Sequence, residues 1–371
     1  MKSWTLVSGV ACILTLATHG SLAQTLDATD GAPFVVPRSS VHLLPSKIVD
    51  QVYELRVSVP EDYGNDAGLR PVVYALDGQW NFNLMSDIVG KLAWDGMIPD
   101  PIVVAITWAG AGDQPAAQRA RDFSPVPIPG EPGTGGGPQF LKVLENEIFP
   151  FVEATYRASR ERVITGGSFA GLFVGYALLE RPDLFRGYVS SSGAFGLGEA
   201  YFSRRLKELP PDFLRDEHVY FTVGALYDNE QRVKDFVADL KAATGKNTDV
   251  TLDVIPGVGH TGNEPFAYTR GLIHAFQRPR LQLSQRLLER YEGAYTDPEY
   301  PEDPDLVIQA SRGKLHILVG GQESPIVFYA ETPERFYAEG IDVDFSFHRN
   351  DQGGLSLTLS DHRELTEFQR R

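Results

Sequence analysis

Hydrophobic positions in the first three quarters of the chain follow two periods. Residues 51–60 alternate apolar and polar side chains, which predicts an antiparallel edge strand. Continuous apolar runs follow, typical of strands covered on both faces, at residues 71–76, 101–108, 163–165, 187–191, 218–223 and 250–255. Helical spacing of apolar residues fills the intervals, at residues 139–156, 169–179, 229–243 and 265–276. Strands alternating with helices predict a doubly wound, mostly parallel α/β sheet.

The segment from residue 110 to 138 interrupts this alternation. It contains four prolines between residues 125 and 132, followed by a glycine-rich cluster at residues 133–137. Long loops inside compact domains are usually functional or disordered, so this segment is a candidate part of a site. In the helical stretch that follows, Pro150 predicts a kink or an early end because proline has no N–H to donate.

The pattern changes again after Leu281. Helical periodicity disappears, and short apolar runs alternate with glycine- and aspartate-containing turns. We predict a small all-β domain over residues 286–371, after an α/β domain over residues 35–280. Its predicted strands are residues 305–309, 315–319, 326–329, 343–347 and 355–359.

The first 23 residues have the three regions of a secretory signal peptide. Lys2 is followed by an apolar core from Trp4 to about Ala17 and by a small-residue end at residues 21–23. We therefore expect export to the periplasm or the medium; a buried N-terminal helix is the alternative. Cys12, the one cysteine, lies in this segment, so the mature chain would have no disulfide and no thiolate metal site.

Charge and hydropathy exclude several classes of partner. The chain has 34 Lys and Arg against 49 Asp and Glu, a net charge of −15. Such an acidic chain repels nucleic acid and anionic lipid surfaces. After the leader, no apolar stretch is long enough for a membrane span.

A serine stands at the apex of a predicted strand-to-helix turn. The apolar run at Val163 and Ile164 leads into Gly-Gly-Ser-Phe-Ala-Gly at residues 166–171, and an apolar helical stretch follows at once. This order is typical of the nucleophile elbow of an α/β-hydrolase, which exposes the Ser168 hydroxyl above the sheet. The usual pattern has glycine where this chain has Ala170. The alternative is a small residue in an ordinary turn.

A serine hydroxyl needs a histidine to take its proton and an acid to orient that histidine. Among the eight histidines, only His260 follows the last predicted strand in a glycine-lined loop before a helix. For the acid, the strand at residues 218–223 is followed by Asp228, our first candidate, and by Glu230. Both carboxylates could instead be ordinary acids at a helix N-terminus.

Two backbone N–H groups are needed to stabilise the developing oxyanion. One should come from Phe169, directly after the serine. The other should come from the Asp-Gly-Gln-Trp loop at residues 77–80, with Gln79 or Trp80 as the donor; a plain turn is the alternative.

Three further residues are candidates for substrate binding. They are Trp80, Arg119 and Arg121. The two arginines could bind an anionic acyl group or a catecholate-type ligand. Equally, one of them could pair with Asp122 and hold the loop in place.

These motifs together resemble the esterase family of α/β-hydrolases that includes ferric enterobactin and bacillibactin esterases, closest to its siderophore-esterase branch. The segments that carry the resemblance are residues 76–80, 119–125, 133–141, 147–152, 167–173 and His260. The resemblance covers residues 35–280. It implies Ser168 as nucleophile, His260 as base, and Phe169 with Gln79 as oxyanion donors. From about Leu288 the chain resembles the small β domain appended to various serine hydrolases.

Two positions depart from the family pattern. Ala170 replaces the usual glycine of the elbow, and Tyr227 stands where many relatives carry the acid, one place before Asp228. The second departure leaves open which carboxylate, if any, completes the triad.

The sequence therefore predicts an exported serine hydrolase that cleaves carboxylic esters through an acyl-enzyme, with no metal or cofactor. The substrate would be a small-molecule or polymer-linked ester: a siderophore lactone, an aryl ester on plant polysaccharide, or a simple acyl ester. One alternative is a non-catalytic protein on a hydrolase scaffold whose β domain binds a polymer or a partner. Another is acyl transfer to an acceptor other than water. The sequence does not predict the oligomeric state.

Overall fold

The computed structural model describes residues 35–65, 67–110, 115–245, 248–319, 324–350, 353–361 and 364–371. They form two compact units, divided between Gln277 and Arg278. The predicted leader, residues 1–23, lies outside the described residues and stays a prediction.

The first unit is built on an eight-stranded sheet with the order β1-β2-β4-β3-β5-β6-β7-β8. The pairs β1/β2 and β2/β4 are antiparallel, and all the others are parallel. The strands are β1 Ser39–Pro45, β2 Val52–Ser58, β3 Arg70–Ala75, β4 Ile102–Trp108, β5 Ala158–Gly167, β6 Gly187–Ser191, β7 His218–Gly224 and β8 Asp249–Ile255. The mostly parallel sheet predicted from the apolar runs is confirmed.

The antiparallel strand predicted at residues 51–60 is confirmed by β2, but its predicted position at the edge of the sheet was wrong. Strand β1 lies outside β2, so β2 is paired on both sides. The edge strand escaped the sequence analysis because its apolar residues do not mark a buried face: Val41 is 62% and Leu43 is 61% exposed.

Helices cover both faces of the sheet. Val72 and Tyr74 of β3 belong to one apolar cluster, and Val73 and Ala75 belong to another, as the two-residue period of a strand requires. The helices of the first unit are α1 Gly78–Trp94, α2 Ala116–Phe123, α3 Gly137–Val143, α4 Phe149–Thr155, α5 Phe169–Glu180, α6 Glu199–Glu208, α7 Glu230–Ala243 and α8 Glu264–Ala275. Buried residues of α1 and α8 lie in the second cluster, and those of α5, α6 and α7 lie in the first.

The helical stretch predicted at residues 139–156 changes its hydrogen-bond pattern in the middle. A π-helical turn, Leu144–Ile148, joins α3 to α4, and Pro150 lies in the first turn of α4. Proline has no N–H to offer the preceding turn, which explains why the regular α-helical ladder stops there. The predicted interruption is thus a π-turn.

The second unit, residues 278–371, contains a short helix α9 (Gln285–Leu288) and a closed antiparallel barrel of eight strands. The strands are β9 Gly293–Thr296, β10 Leu306–Ser311, β11 Lys314–Val319, β12 Ile326–Ala330, β13 Arg335–Ala338, β14 Val343–Arg349, β15 Leu355–Asp361 and β16 Glu364–Arg370. Apolar runs in the sequence predicted five of these strands but not β9, β13 and β16. Two of the missed strands have only four residues, and β16 is mostly polar, so none gives a clear apolar run.

The barrel has its own apolar core. Inward-facing residues of all eight strands, Tyr295, Ile317 and Phe345 among them, form one buried cluster. The rings of Tyr291 and Phe347 stack within it, with centroids 4.0 Å apart.

Among the helices described, none is long and apolar enough to cross a membrane.

Candidate active site

The carboxyl ends of the parallel strands bring the predicted site residues to one edge of the sheet. Asp77 follows β3, Ser168 follows β5, Asp228 lies in the loop after β7, and His260 lies in the loop after β8. Open α/β sheets bind their ligands at this edge.

Ser168 occupies a strained turn between β5 and α5. Its backbone has φ 58° and ψ −117°, a combination that side-chain-bearing residues rarely adopt. The turn is held on both sides: the Ser168 N–H donates to the Ser191 carbonyl at 2.9 Å, and the Ser168 carbonyl accepts from Ala194 N–H at 3.0 Å. The sequence order strand, serine, helix therefore forms the geometry of a nucleophile elbow.

Gly166 explains how the elbow accommodates Ala170. A Cβ on Gly166 would lie 2.7 Å from the Cβ of Ala170, far inside van der Waals contact. The glycine two residues before the serine thus leaves room for the methyl group two residues after it. The Ala170 departure from the family pattern is sterically compensated within the turn.

His260 is paired with Asp228. The imidazole Nδ1 lies 2.7 Å from Asp228 Oδ1; the Asp228 side chain is fully buried, and that of His260 is 43% exposed. A neutral imidazole that donates from Nδ1 keeps a lone pair on Nε2, which is the form that can accept a proton. In the described part of the chain, no hydrogen bond joins His260 to the Ser168 hydroxyl; bonds of this kind often tighten only in the complex with substrate.

Asp228 is held as a carboxylate by its partners. Its Oδ2 accepts from Ser192 Oγ at 2.5 Å and from Gly224 N–H at 2.9 Å, and its Oδ1 also accepts from Asn229 N–H at 2.7 Å. Burial by itself raises the pKa of Asp228, but the hydrogen bonds from His260, Ser192 and the backbone outweigh it and leave the pKa below its usual value.

The alternative acid, Glu230, points elsewhere. It forms an ion pair with Lys234, one turn along α7. Tyr227, the residue before Asp228, is fully exposed. Of the two carboxylates that the sequence left open, Asp228 contacts His260.

Phe169 and Gln79 both lie in the first turn of a helix, where backbone N–H groups have no carbonyl partner in the helix. Gly78, just before Gln79, has no room for a side chain because a Cβ would lie 2.9 Å from the backbone of Ala105. The Gln79 side chain is held by Thr107, whose hydroxyl donates to Gln79 Oε1 at 2.7 Å. The N-terminus of α1 is therefore rigidly placed.

Arg119 is engaged by a buried carboxylate. Its Nε and one terminal nitrogen donate to the two oxygens of Asp77 at 2.7 and 2.8 Å, a bidentate pair. Burial raises the pKa of Asp77, and the bonds from Arg119 oppose the rise. The guanidinium also lies 5.1 Å from the ring centre of Trp80 and 5.9 Å from that of Phe169. The segment predicted as a long loop contains helix α2 at this point, and Arg119 ties α2 to the N-termini of α1 and α5.

Arg121 makes the pair with Asp122 that the sequence analysis offered as an alternative. Its Nε lies 2.6 Å from Asp122 Oδ1. The buried Asp122 also accepts from Tyr53 and from the Trp108 indole. Both arginines are therefore paired within the protein, whereas the Trp80 side chain is 51% exposed at the site.

Glu264 is a site residue that the sequence analysis missed. It begins α8, four residues after His260, and its carboxylate lies so close to Gly167 that a side chain at Gly167 would collide with it. Burial, and next the negative charge of Asp77, raise the pKa of Glu264 from 4.5 to about 7, although His260 and Arg119 pull it down. Its helix-start position was its only sequence signal, and many surface acids share that position.

We expect Glu264→Gln to stabilise the protein at alkaline pH. The native state holds this proton up to about pH 7, whereas the unfolded chain releases it near 4.5, so the wild type loses stability as pH rises between these values. Glutamine does not ionise. Between pH 4.5 and pH 8, the free energy of unfolding of the variant should therefore rise relative to that of the wild type by on the order of 1 to 3 kcal/mol. Urea unfolding at both pH values measures this difference.

Glu131 is exposed, so Glu131→Gln is the matched control. Its free energy of unfolding should differ from that of the wild type by the same amount at both pH values. If the difference in free energy of unfolding between Glu264→Gln and the wild type is the same at pH 4.5 and pH 8, the buried carboxyl does not titrate in this range.

A mostly parallel sheet, a serine at a strained strand-to-helix turn and a His–Asp pair at the same sheet edge define an α/β-hydrolase. Residues 46–252 match the sequence profile of the family described as "Putative esterase", and the chain belongs to that family.

Two curated relatives are named as siderophore esterases. The chain is 31% identical over 187 residues to "Ferri-bacillibactin esterase BesA" of Bacillus subtilis (strain 168), covering 46% of this chain and 64% of that protein. It is 31% identical over 148 residues to "Siderophore triacetylfusarinine C esterase" of Aspergillus fumigatus, covering 38% of this chain and 50% of that protein. The match thus spans less than two thirds of the length of either relative.

Solved structures share the fold. An IroE-like serine hydrolase from Shewanella oneidensis superposes with a TM-score of 0.58 at 22% identity, covering 68% of this chain and 85% of that one. The BES protein from Bacillus cereus gives a TM-score of 0.58 at 21% identity, covering 67% of this chain and 98% of that one.

Proposed function

We propose that the protein is a serine esterase that hydrolyses carboxylic esters through an acyl-enzyme on Ser168. The observation that carries the proposal is the 2.7 Å bond between His260 and the buried Asp228, at the same sheet edge as the strained Ser168 turn. Membership of the esterase family supports it.

The reaction divides into acylation and deacylation. Ser168 Oγ attacks the ester carbonyl carbon while His260 Nε2 takes the hydroxyl proton, and Asp228 stabilises the imidazolium through Nδ1. The Phe169 and Gln79 N–H groups stabilise the tetrahedral oxyanion. The intermediate collapses by breaking the ester C–O bond, and His260 gives its proton to the leaving alkoxide. Water, deprotonated by His260, then attacks the acyl carbon. The bond between that carbon and Ser168 Oγ breaks, His260 returns the proton to Oγ, and the carboxylic acid is released.

We propose siderophore esters as the substrate class. The names of the two curated relatives support this choice. So does the half-exposed Trp80 ring beside the Arg119 guanidinium, which offers a flat surface to an aromatic acyl group. Because Arg119 and Arg121 are already paired with Asp77 and Asp122, we assign them to holding α2 in place rather than to binding an anionic substrate.

A substrate panel tests this proposal. It contains a catecholate trilactone with and without iron, a feruloyl ester and a short-chain p-nitrophenyl ester, with chromatography of the released acid as the readout. We expect every hydrolysed substrate to yield the free acid, with kcat/KM for the trilactone at least about tenfold above that for the feruloyl ester. A preference for the feruloyl ester would contradict the siderophore assignment, and no hydrolysis of any class would contradict the esterase.

We also propose that the mature enzyme acts outside the cytoplasm. The basic, apolar and small-residue regions of the first 23 residues support this. N-terminal sequencing of the protein from its native host should begin at Gln24, and an intact Met1 or Lys2 in the active protein would contradict export by cleavage.

A further inference from the structure

A second cluster of polar side chains lies at the opposite edge of the sheet from Ser168. His218 begins β7, Asp249 begins β8, and the two are partners in the parallel register. His274 reaches them from the last turn of α8, which packs against β7. One ligand atom from each residue lies within 4.8 Å of the other two.

The side chains of His218 and Gln277 meet at one oxygen of Asp249. His218 Nδ1 lies 2.6 Å from Asp249 Oδ2 and 2.9 Å from the Gln277 side-chain amide nitrogen, which also lies within hydrogen-bond distance of Asp249 Oδ2. When Nδ1 carries a proton, both nitrogens can donate to that oxygen. When Nδ1 gives up its proton, its lone pair faces those of the carboxylate, an arrangement that a cation between them stabilises.

The imidazole of His274 brings a further nitrogen atom, Nε2, to the cluster. Its Nε2 is buried and, in the part of the chain that the structure describes, has no hydrogen-bond partner. It lies 3.3 Å from Asp249 Oδ1, and the His274 side chain is only 14% exposed. Buried polar atoms without partners are uncommon and call for a specific explanation.

We propose that His218, Asp249 and His274 form a binding site for Zn²⁺. A cation between these side chains accepts one lone pair from each of them. Two imidazoles and one carboxylate are ligands that zinc prefers, whereas Ca²⁺ and Mg²⁺ favour all-oxygen sites. The fourth position is open to water, or to the Gln277 amide oxygen after rotation.

The surroundings suit a bound ion. Two ligands come from adjacent strands and the third from a helix packed on them, so the site rests on rigid backbone. A cavity of about 530 Å³ gives an entry path from solvent; its lining includes His218, Asp249 and Glu217, together with the arginines Arg160, Arg186 and Arg215. Because the site lies at the other edge of the sheet from Ser168, we expect zinc to link the starts of β7 and β8 to the end of α8 without taking part in ester hydrolysis.

Zinc titration of the chelator-treated full protein tests the site. Competition against a chromophoric zinc chelator should give one Zn²⁺ per chain with a Kd that is micromolar or tighter, and zinc should raise the melting temperature. His218→Gln and His274→Gln should each weaken binding by about 100-fold. His348→Gln, in the barrel, is the matched control and should bind like the wild type.

Cobalt gives a second readout on the unmutated protein. Co²⁺ in a four-coordinate site with imidazole ligands shows intense visible absorption, which Zn²⁺ should displace at one equivalent. Absence of stoichiometric zinc binding by the wild type would overturn the proposal, as would equal affinity in the wild type and the His274→Gln variant. Ser168→Ala should bind zinc normally, so the site and the esterase can fail independently.

Discussion

Replacing Ser168 by alanine should lower kcat for ester hydrolysis by about 10⁴- to 10⁶-fold, because the variant has no oxygen with which to form the acyl-enzyme. The oxyanion donors Phe169 and Gln79 remain, so a small rate above that of water should persist. Alanine meets the same backbone strain at φ 58° as serine, and the melting temperature should therefore change little. Steady-state assays with an activated aryl ester, together with thermal melting, measure both effects.

Ser159→Ala is the matched control for this substitution. Ser159 lies near the start of the same strand, β5, and should leave kcat within about twofold. If Ser168→Ala retained wild-type turnover while folded, the nucleophile would be another group.

Replacing Asp228 by asparagine should lower kcat by about 10³- to 10⁴-fold. An amide in this position can donate a hydrogen bond to Nδ1 of His260. This stabilises the tautomer that carries its proton on Nε2, and that tautomer cannot accept a proton from Ser168. It also leaves the imidazolium without its negative partner. The effect should appear in kcat rather than in KM, because Asp228 is fully buried and cannot contact substrate.

Glu230→Gln separates the two acids that the sequence left open. Glu230 pairs with Lys234 on the surface of α7, so its amide should leave kcat within about twofold. A large loss in Glu230→Gln combined with a small one in Asp228→Asn would assign the acid to Glu230 and contradict the geometry.

The elbow and its histidine could be predicted because their signals are local. Ser168 stands between an apolar strand and an apolar helix, and His260 follows the last strand of the sheet, so chain order alone identified both. Chain order made Asp228 the first candidate for the acid but did not exclude Glu230, because both follow the same strand and are two residues apart. Burial of Asp228 and its bonds to Ser192 and Gly224 distinguish them, and these contacts are tertiary.

Contacts between residues far apart in the sequence could not be predicted either. Arg119 was a candidate ligand for an anion because its partner, Asp77, is 42 residues away in sequence. The His218–Asp249–His274 cluster depends on a strand register and on the packing of α8, neither of which leaves a motif in the sequence. The missed strand β1 shows the same limit, since an exposed edge strand has no buried face to mark it.

The central claim is that Ser168 is the nucleophile of a serine esterase, and covalent labelling tests it most directly. The protein is treated with a fluorophosphonate, its intact mass is measured, and the modified peptide is identified by tandem mass spectrometry. We predict one adduct per chain on Ser168, slower labelling in Asp228→Asn and none in Ser168→Ala. An adduct on a different residue, or labelling that persists in Ser168→Ala, would contradict the claim.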